Sequence, residues 1–306
     1  MRHRRKRKSA NKLLLVFCFV LVGFCLLGIF VLSQTFLSKG KTTEKTTVIA
    51  HKKKRIDASS SVAQIGETTK TESTWQKEEK PVSIPILMYH AIHDMDPSEA
   101  ESTNLIVSPS VFESHIKRLK DEGYYFLSPE EAYKALTENS LPSQKVVWLT
   151  FDDGDEDFYT QAYPILKKYG AKATNNVITG FVENGNAGNL TLDQMQEMKK
   201  NGMSFQAHTV THTDLSTQPL DRQSSELTDS KSFLDKALSQ DTIALAYPSG
   251  RYNDTTLQVA SQTYKLAMTT NEGLAEYSDG LLSLDRVRVL PSMTADDLLA
   301  SMQASL

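Results

Sequence analysis

Three kinds of hydrophobic patterning follow one another along the chain. Residues 13–32, "LLLVFCFVLVGFCLLGIFVL", are twenty positions without a charge. Twenty helical residues rise about 30 Å, the thickness of a bilayer's hydrocarbon core. Ahead of them residues 1–12 carry seven Lys or Arg and no acid, so the pattern predicts a basic cytoplasmic tail, a transmembrane anchor and everything after residue 33 outside the cell. A cleaved signal peptide would show a shorter apolar core and a small-residue cleavage site, which residues 33–36 supply poorly. An uncleaved signal-anchor is the expectation. Residues 33–80 turn to Lys, Thr, Ser and Glu with few large apolar side chains. That composition buries too little surface to offset its ordering entropy and predicts a disordered extracellular linker.

In residues 81–306 short apolar runs alternate with longer stretches of helical spacing. "SIPILMYH", "KVVWLTF", "AKATNNVIT", "SFQAH", "IALAYP", "KLAMTT" and "RVRVL" read as strands. Between them "PSVFESHIKRLKDEG", with Ser108 as cap and Gly123 as stop, "YTQAYPILKKYG", "TLDQMQEMKKNG", a segment within residues 221–239, another after Asn253 and a last one from Thr294 read as helices. Pro164 either kinks its helix or marks a late start. Strands alternating with helices imply an α/β fold with a parallel sheet, closed wholly or partly into a barrel.

Charge changes the picture in one respect. The whole chain is near neutral at −3, but residues 81–306 hold 17 Lys plus Arg against 31 Asp plus Glu, a difference of −14. An acidic domain argues against a nucleic-acid partner. Both cysteines, Cys18 and Cys25, fall in the apolar segment, so the outer domain has neither disulfide nor thiolate chemistry. Nothing in the sequence sets the oligomeric state.

Chemistry in a parallel barrel belongs at the C-terminal ends of its strands. "KVVWLTF" ends in Asp152-Asp153-Gly154, "SFQAH" continues into "HTVTH" with His208 and His212, "IALAYP" into "PSGRYN", and "SIPILMYH" ends on His90. Two histidines four apart share one side of a strand or a helix, and with one carboxylate they make a three-ligand site with a position open for water. Adjacent Asp side chains alternate faces on a strand, which excludes the flanking pair a glycoside hydrolase needs. Asp155, Glu156 and Asp157 read as a helix N-terminus. His115 reads as a surface residue, and His93 as a weaker competitor to His90. Trp148, Tyr247 and Tyr252 could stack on sugars or pack the core, and Arg286 or Arg288 could send one guanidinium toward the site.

"TFDDG" at 150–154 and "HTVTH" at 208–212 resemble the first two signature motifs of the polysaccharide deacetylases, the NodB-homology group or carbohydrate esterase family 4. The resemblance implies a distorted (β/α) barrel over residues 81–306, Asp152 as general base, and Asp153, His208 and His212 as ligands of a divalent metal, zinc first. The third motif departs: "AYPSG" has Ala246 where the family carries Arg and Ser249 where it carries an aromatic. Tyr247, Pro248 and Ser249 still mark the substrate or oxyanion stretch, through a backbone N–H near Ser249. No histidine follows His212, so the late catalytic His is missing. The branch acting on poly-N-acetylglucosamine is similar to a permuted arrangement with an early "YH", which makes His90 the candidate acid. In the same family the third strand is an unbroken apolar run, whereas Asn175 and Asn176 interrupt it here.

The expectation is therefore a membrane-anchored N-deacetylase of an extracellular N-acetylglucosamine polymer, poly-N-acetylglucosamine or peptidoglycan. Metal and Asp152 would activate water, and His90 would supply the amine's proton. An O-acetyl esterase on a cell-surface or plant glycan and an inactive wall-binding module are the alternatives.

Overall fold

A computed structural model of the chain describes residues 74–303. The expected tail, membrane segment and most of the linker lie outside the described residues; among those described, no helix is long and apolar enough to cross a membrane.

Seven parallel strands form a closed ring: β1 Ile86–Tyr89, β2 Val146–Phe151, β3 Thr174–Val177, β4 Ser204–Ala207, β5 Ala244–Ala246, β6 Leu266–Glu272 and β7 Leu284–Arg288. They neighbour one another in chain order. The ring closes where β1 lies between β2 and β7, with Ile86 opposite Trp148 and Leu87 opposite Val287. Two irregularities distort it. β4 and β5 meet at a single pair, Ala207 and Leu245, and the register between β6 and β7 shifts between Met268 and Glu272.

Helices α1 Pro109–Asp121, α2 Pro129–Glu138, α3 Tyr163–Tyr169, α4 Thr179–Glu183, α5 Leu192–Lys200, α6 Leu220–Leu238, α7 Asp254–Thr263 and α8 Ala295–Ser301 complete the domain. Ser108 caps α1 by accepting from Val111 N, as its sequence predicts. At Pro164 both alternatives are partly realised: a π-helical turn, Phe158–Ala162, leads into an α-helix that begins at Tyr163 with the proline in its first turn, where a missing N–H costs nothing. α2 was not foreseen, although Ser128 and Glu131 form a capping box there.

The folded part also starts earlier than Pro81. Gln76–Lys77 pairs antiparallel with Ser140–Leu141, and Asn139 donates to Glu78 O while accepting from Val82 N. Residues 76–82 therefore belong to the fold and not to the expected linker. Main-chain hydrogen bonds hold this segment, so its polar composition carried no signal.

Strand alternation divides the core in two. Leu87, Tyr89, Val147, Leu149, Phe151, Phe205, Leu245 and Val287 face the helices. Tyr89 stacks on Phe151 with centroids 5.1 Å apart, and Phe112 of α1 meets both edge-on. The opposite face fills the barrel. Ile86, Trp148, Ala244, Leu266 and Leu284 make an apolar floor, and Trp148 Nε1 donates to Thr174 Oγ1, so Trp148 is core and not a sugar platform. Higher up the interior turns polar, with Thr150, Asn176, Gln206 and Arg286 all buried.

His115 corrects the surface expectation. It is fully buried, paired through Nδ1 with Tyr89 Oη and through Nε2 with Met293 O. Phe112, His115, Ile116 and Leu119 are one helical face, the buried one. The lysines and arginine around it occupy the other.

Candidate active site

The polar strand ends meet at one mouth. β2 ends at Phe151, and Asp152 continues its inward alternation while Asp153 turns away with φ 79°. Left-handed backbone is costly for a residue with a Cβ, and the strain carries Asp153 Oδ1 out over the mouth. There it lies 3.3 Å from His208 Nε2 and 3.4 Å from His212 Nε2. The two imidazoles converge for a different reason from the one their spacing suggested. His208 ends β4, but Thr209 and His212 take φ 66° and 55°, so the loop folds back and sets the rings edge-on at 4.8 Å. Neither a strand nor a helix aligns them.

Among the described residues, Asp153, His208 and His212 form a group whose ligand atoms all lie within 4.8 Å of one another. The donor chemistry fits a divalent cation. His208 Nδ1 is 2.7 Å from Ala246 O; a carbonyl can only accept, so Nδ1 carries the proton and Nε2 presents its lone pair. Burial opposes charge on His208, yet Asp153 and Asp152 outweigh it and raise the imidazole's pKa. The field of the pocket favours a cation.

Asp152 is built in another way. It is fully buried, and Arg286 grips both oxygens, with Nη1 3.0 Å from Oδ1 and Nη2 2.7 Å from Oδ2. Asn176 Nδ2 donates to Oδ1 at 2.8 Å. Burial alone would raise the Asp152 pKa, but the Arg286 guanidinium and the nearby His208 and His90 hold it well below the usual carboxylate range. Arg286 is held in turn, Nε donating to Thr269 O at 2.7 Å. Of the two arginines on β7, Arg286 is the one that reaches Asp152. It brings a guanidinium to Asp152 from β7, whereas position 246, where the resemblance would place one, is alanine. Asn176 likewise explains half of the unusual third strand. Its Oδ1 and that of Asn175 are buried without a protein partner.

His90 follows β1 directly, and because Tyr89 lies opposite Phe151 and its carbonyl accepts from Asp152 N at 3.0 Å, His90 leaves β1 beside Asp152 at the same strand ends. Burial pushes its pKa down, and the two aspartates oppose that. His93 is not a rival acid. Its Nδ1 lies 2.7 Å from Asp157 Oδ2 and its Nε2 3.1 Å from Glu99, a clasp across the loop after β1. Asp157 also accepts from Ile92 N, and Glu156 from Gln194 Nε2. These acids do open the helical turn at Phe158, with Asp157 at its N-cap, but the carboxylates of Glu156 and Asp157 tie neighbouring segments and do not cap the turn. Asp155, half-buried beside Asp153 and Asp157, is pushed up to about 7 by that burial and by the two neighbouring carboxylates.

The Pro248 stretch is a tight turn with Ser249 at φ 53°. A Cβ on Gly250 would stand 2.2 Å from Thr270 Oγ1, so only glycine fits. The amides of Tyr247, Gly250 and Arg251 are engaged with Met268, Tyr247 and Pro248 carbonyls. That leaves the Ser249 amide as the turn's candidate donor. The Tyr247 side chain faces the helices, stacked on Tyr252 and donating to Leu282 O, so core packing accounts for it.

A parallel barrel with a buried carboxylate, a histidine and a His-His-Asp group gathered at its strand ends is the arrangement of a barrel hydrolase. A family model described as "Polysaccharide deacetylase" matches residues 139–266. YxkH of Bacillus subtilis (strain 168), provisionally named a polysaccharide deacetylase, is 44% identical over 223 residues, 72% of this chain and 77% of that protein. Poly-beta-1,6-N-acetyl-D-glucosamine N-deacetylase of Staphylococcus aureus (strain MRSA252) is 37% identical over 174 residues, 53% of this chain and 60% of that protein. The solved structure of Streptococcus pyogenes deacetylase PplD, in complex with acetate, is 63% identical with a TM-score of 0.71, covering 73% of this chain and 99% of that one. The chain belongs to the polysaccharide deacetylase family.

Proposed function

We propose that this protein is a membrane-anchored, metal-dependent N-deacetylase of an extracellular N-acetylglucosamine polymer. The observation that carries the proposal is the buried carboxylate of Asp152 held beside the Asp153, His208 and His212 group, with His90 at the same mouth. The Staphylococcus aureus relative supports a poly-N-acetylglucosamine substrate, with peptidoglycan second. The charge-free segment behind a basic tail supports the anchor, and cell fractionation tests it: the chain belongs in the membrane pellet, and release by high salt would remove that part.

An acetamide is a weak electrophile with a poor leaving group, so its hydrolysis needs an activated water, a stabilised oxyanion and a proton for nitrogen. A divalent metal, zinc first, held by Asp153, His208 and His212 would polarise the acetyl carbonyl and acidify water. Asp152, kept ionised by Arg286, takes a proton from the attacking water as its oxygen bonds to the carbonyl carbon. Arg286 and Asn176 fix the direction of its oxygens. The Ser249 amide faces the developing oxyanion. His90, in its protonated imidazolium form, gives a proton to the sugar nitrogen as the carbon–nitrogen bond breaks, leaving acetate and a free amine.

Acetate release by the full-length protein with added zinc, on N-acetylglucosamine oligomers, peptidoglycan fragments and acetylated xylan, tests the reading. Release from the N-acetyl substrates is expected. Release from xylan alone would replace it with an O-acetyl esterase.

A further inference from the structure

The two histidines of the proposed metal centre are joined by three residues, Thr209, Val210 and Thr211. Thr209 and His212 stand at positive φ, and for β-branched threonine this is an outlier that persists only where the surroundings over-determine it. The surroundings do so from two sides. On one, the amides of Thr179 and Gly180, at the start of α4, donate to Thr209 O at 3.1 Å and Val210 O at 2.9 Å. On the other, Glu226 of α6, 1% exposed, accepts on Oε2 from Val210 N at 2.8 Å and Thr211 N at 2.9 Å. Its Oε1 accepts from Thr211 Oγ1 at 2.5 Å and pairs with Arg222 Nη2. Arg222 also donates to Thr211 Oγ1 at 3.1 Å, and Thr209 Oγ1 accepts from His212 N at 3.0 Å.

Burying a carboxylate is expensive unless it is paired and fully hydrogen-bonded. Here three of the four donors come from the span between the two imidazoles, and the fourth is the arginine that reaches the same threonine. We propose that Glu226 is a positioning residue of the metal centre, acting through the main chain of residues 210–211. The inference rests on the reading that Asp153, His208 and His212 hold a divalent metal. Gly180 is the opposite jaw: a Cβ there would stand 2.5 Å from Val210 O and push the loop away.

Glu226→Gln keeps the shape but turns an NH2 toward the Arg222 guanidinium, donor against donor, and removes the charge that the Thr211 hydroxyl and the two amides donate to. Gly180→Ala displaces the same loop from the other side without touching a charge. Leu234→Ala is the control, since it opens a cavity under α6 away from the loop. Each full-length protein is titrated with zinc against a chromophoric chelator at a temperature where its metal-free form is folded. The absorption spectrum of the cobalt form is recorded as well. Outer residues that orient metal ligands are worth about 10–100-fold in affinity. Both loop variants are expected to lose zinc affinity by that factor and to change the cobalt spectrum, while Leu234→Ala leaves both as in the wild type. If one loop variant does not fold, the other still decides. Wild-type affinity in a folded loop variant, or an equal loss in Leu234→Ala, would overturn the assignment. A wild type that binds neither zinc nor cobalt would remove the metal reading, and this inference with it.

Discussion

The two halves of the site are built by opposite means. Asp153, His208 and His212 stand on irregular backbone above the barrel, two of them at positive φ, and neighbouring elements hold the span between the histidines by hydrogen bonds to its main chain. Asp152 sits at the end of a regular strand inside the barrel, and side chains from β3 and β7 hold it. The metal half is a pre-strained loop cluster, and the base half is a buried ion pair. Each form suits its task. A ligand set needs convergent lone pairs in the open, whereas a base needs one orientation and a fixed charge in a place water cannot rearrange.

If the halves are separable, damage to each should have a different signature. The largest effect falls on chemistry alone. His90→Ala removes the proton donor and is expected to lower kcat on an N-acetyl substrate by about 10²–10⁴ with metal affinity unchanged; steady-state kinetics beside a metal titration checks it.

Next comes the buried pair. Arg286→Met leaves Asp152 charged and unpaired inside the barrel, which costs about 3–5 kcal/mol in denaturant unfolding. Adding Asp152→Asn to it should recover much of that loss, because a neutral amide has no charge to compensate. The pH dependence follows from the same pair. Asp152's pKa is depressed on folding, so its contribution is present above the ordinary carboxylate range and is lost only as pH falls through its depressed folded value. Acid unfolding of Arg286→Met should therefore begin at higher pH than in the wild type.

The difference between the halves also explains what was legible in the sequence. The proposed ligands came from "DDG" and "HTVTH", because a loop site packs its residues within a few positions of one another. The reason offered for the histidine pair, a shared face of a regular element, was wrong, since the turn at Thr209 that brings them together leaves no pattern in residue type. Arg286 was one of two open choices. It reaches Asp152 across 134 positions of chain, and only ring closure between β7 and β1 brings them together. Asn176 read as an anomaly for the same reason: its partner is on another strand. His115 was misread because neighbouring charges outweighed the helical spacing it shares with Phe112, Ile116 and Leu119. The barrel itself was legible from the alternation of strands and helices. The strand of residues 76–77 was not, being too short to carry a pattern.

A smaller effect tests the electrostatics of the metal half. Asp155 is pushed up to about 7 by burial and by Asp153 and Asp157. A carboxyl with a raised folded pKa contributes stability that is full below its unfolded pKa and lost as pH rises through the folded one. Asp155→Asn should therefore stabilise the metal-free protein by an amount that grows between about pH 4 and pH 7 and then levels off. Thermal melts across that range read it, and a gain flat with pH would contradict it. The smallest effect belongs outside both halves. Tyr247→Phe loses the bond to Leu282 O and about 1 kcal/mol, with the rate of acetate release unchanged.

The most direct test joins two readings on one variant, Asp152→Asn, measured for zinc affinity and for acetate release on N-acetylglucosamine oligomers. Zinc still bound, though more weakly because the Asp152 charge is gone from the pocket, with release lowered by about 10²–10⁴ is the expected result, because the proposed base belongs to the barrel interior and the proposed ligands to the loops. Release at the wild-type rate would contradict Asp152 as the base, and loss of zinc together with release would contradict the separation of the two halves.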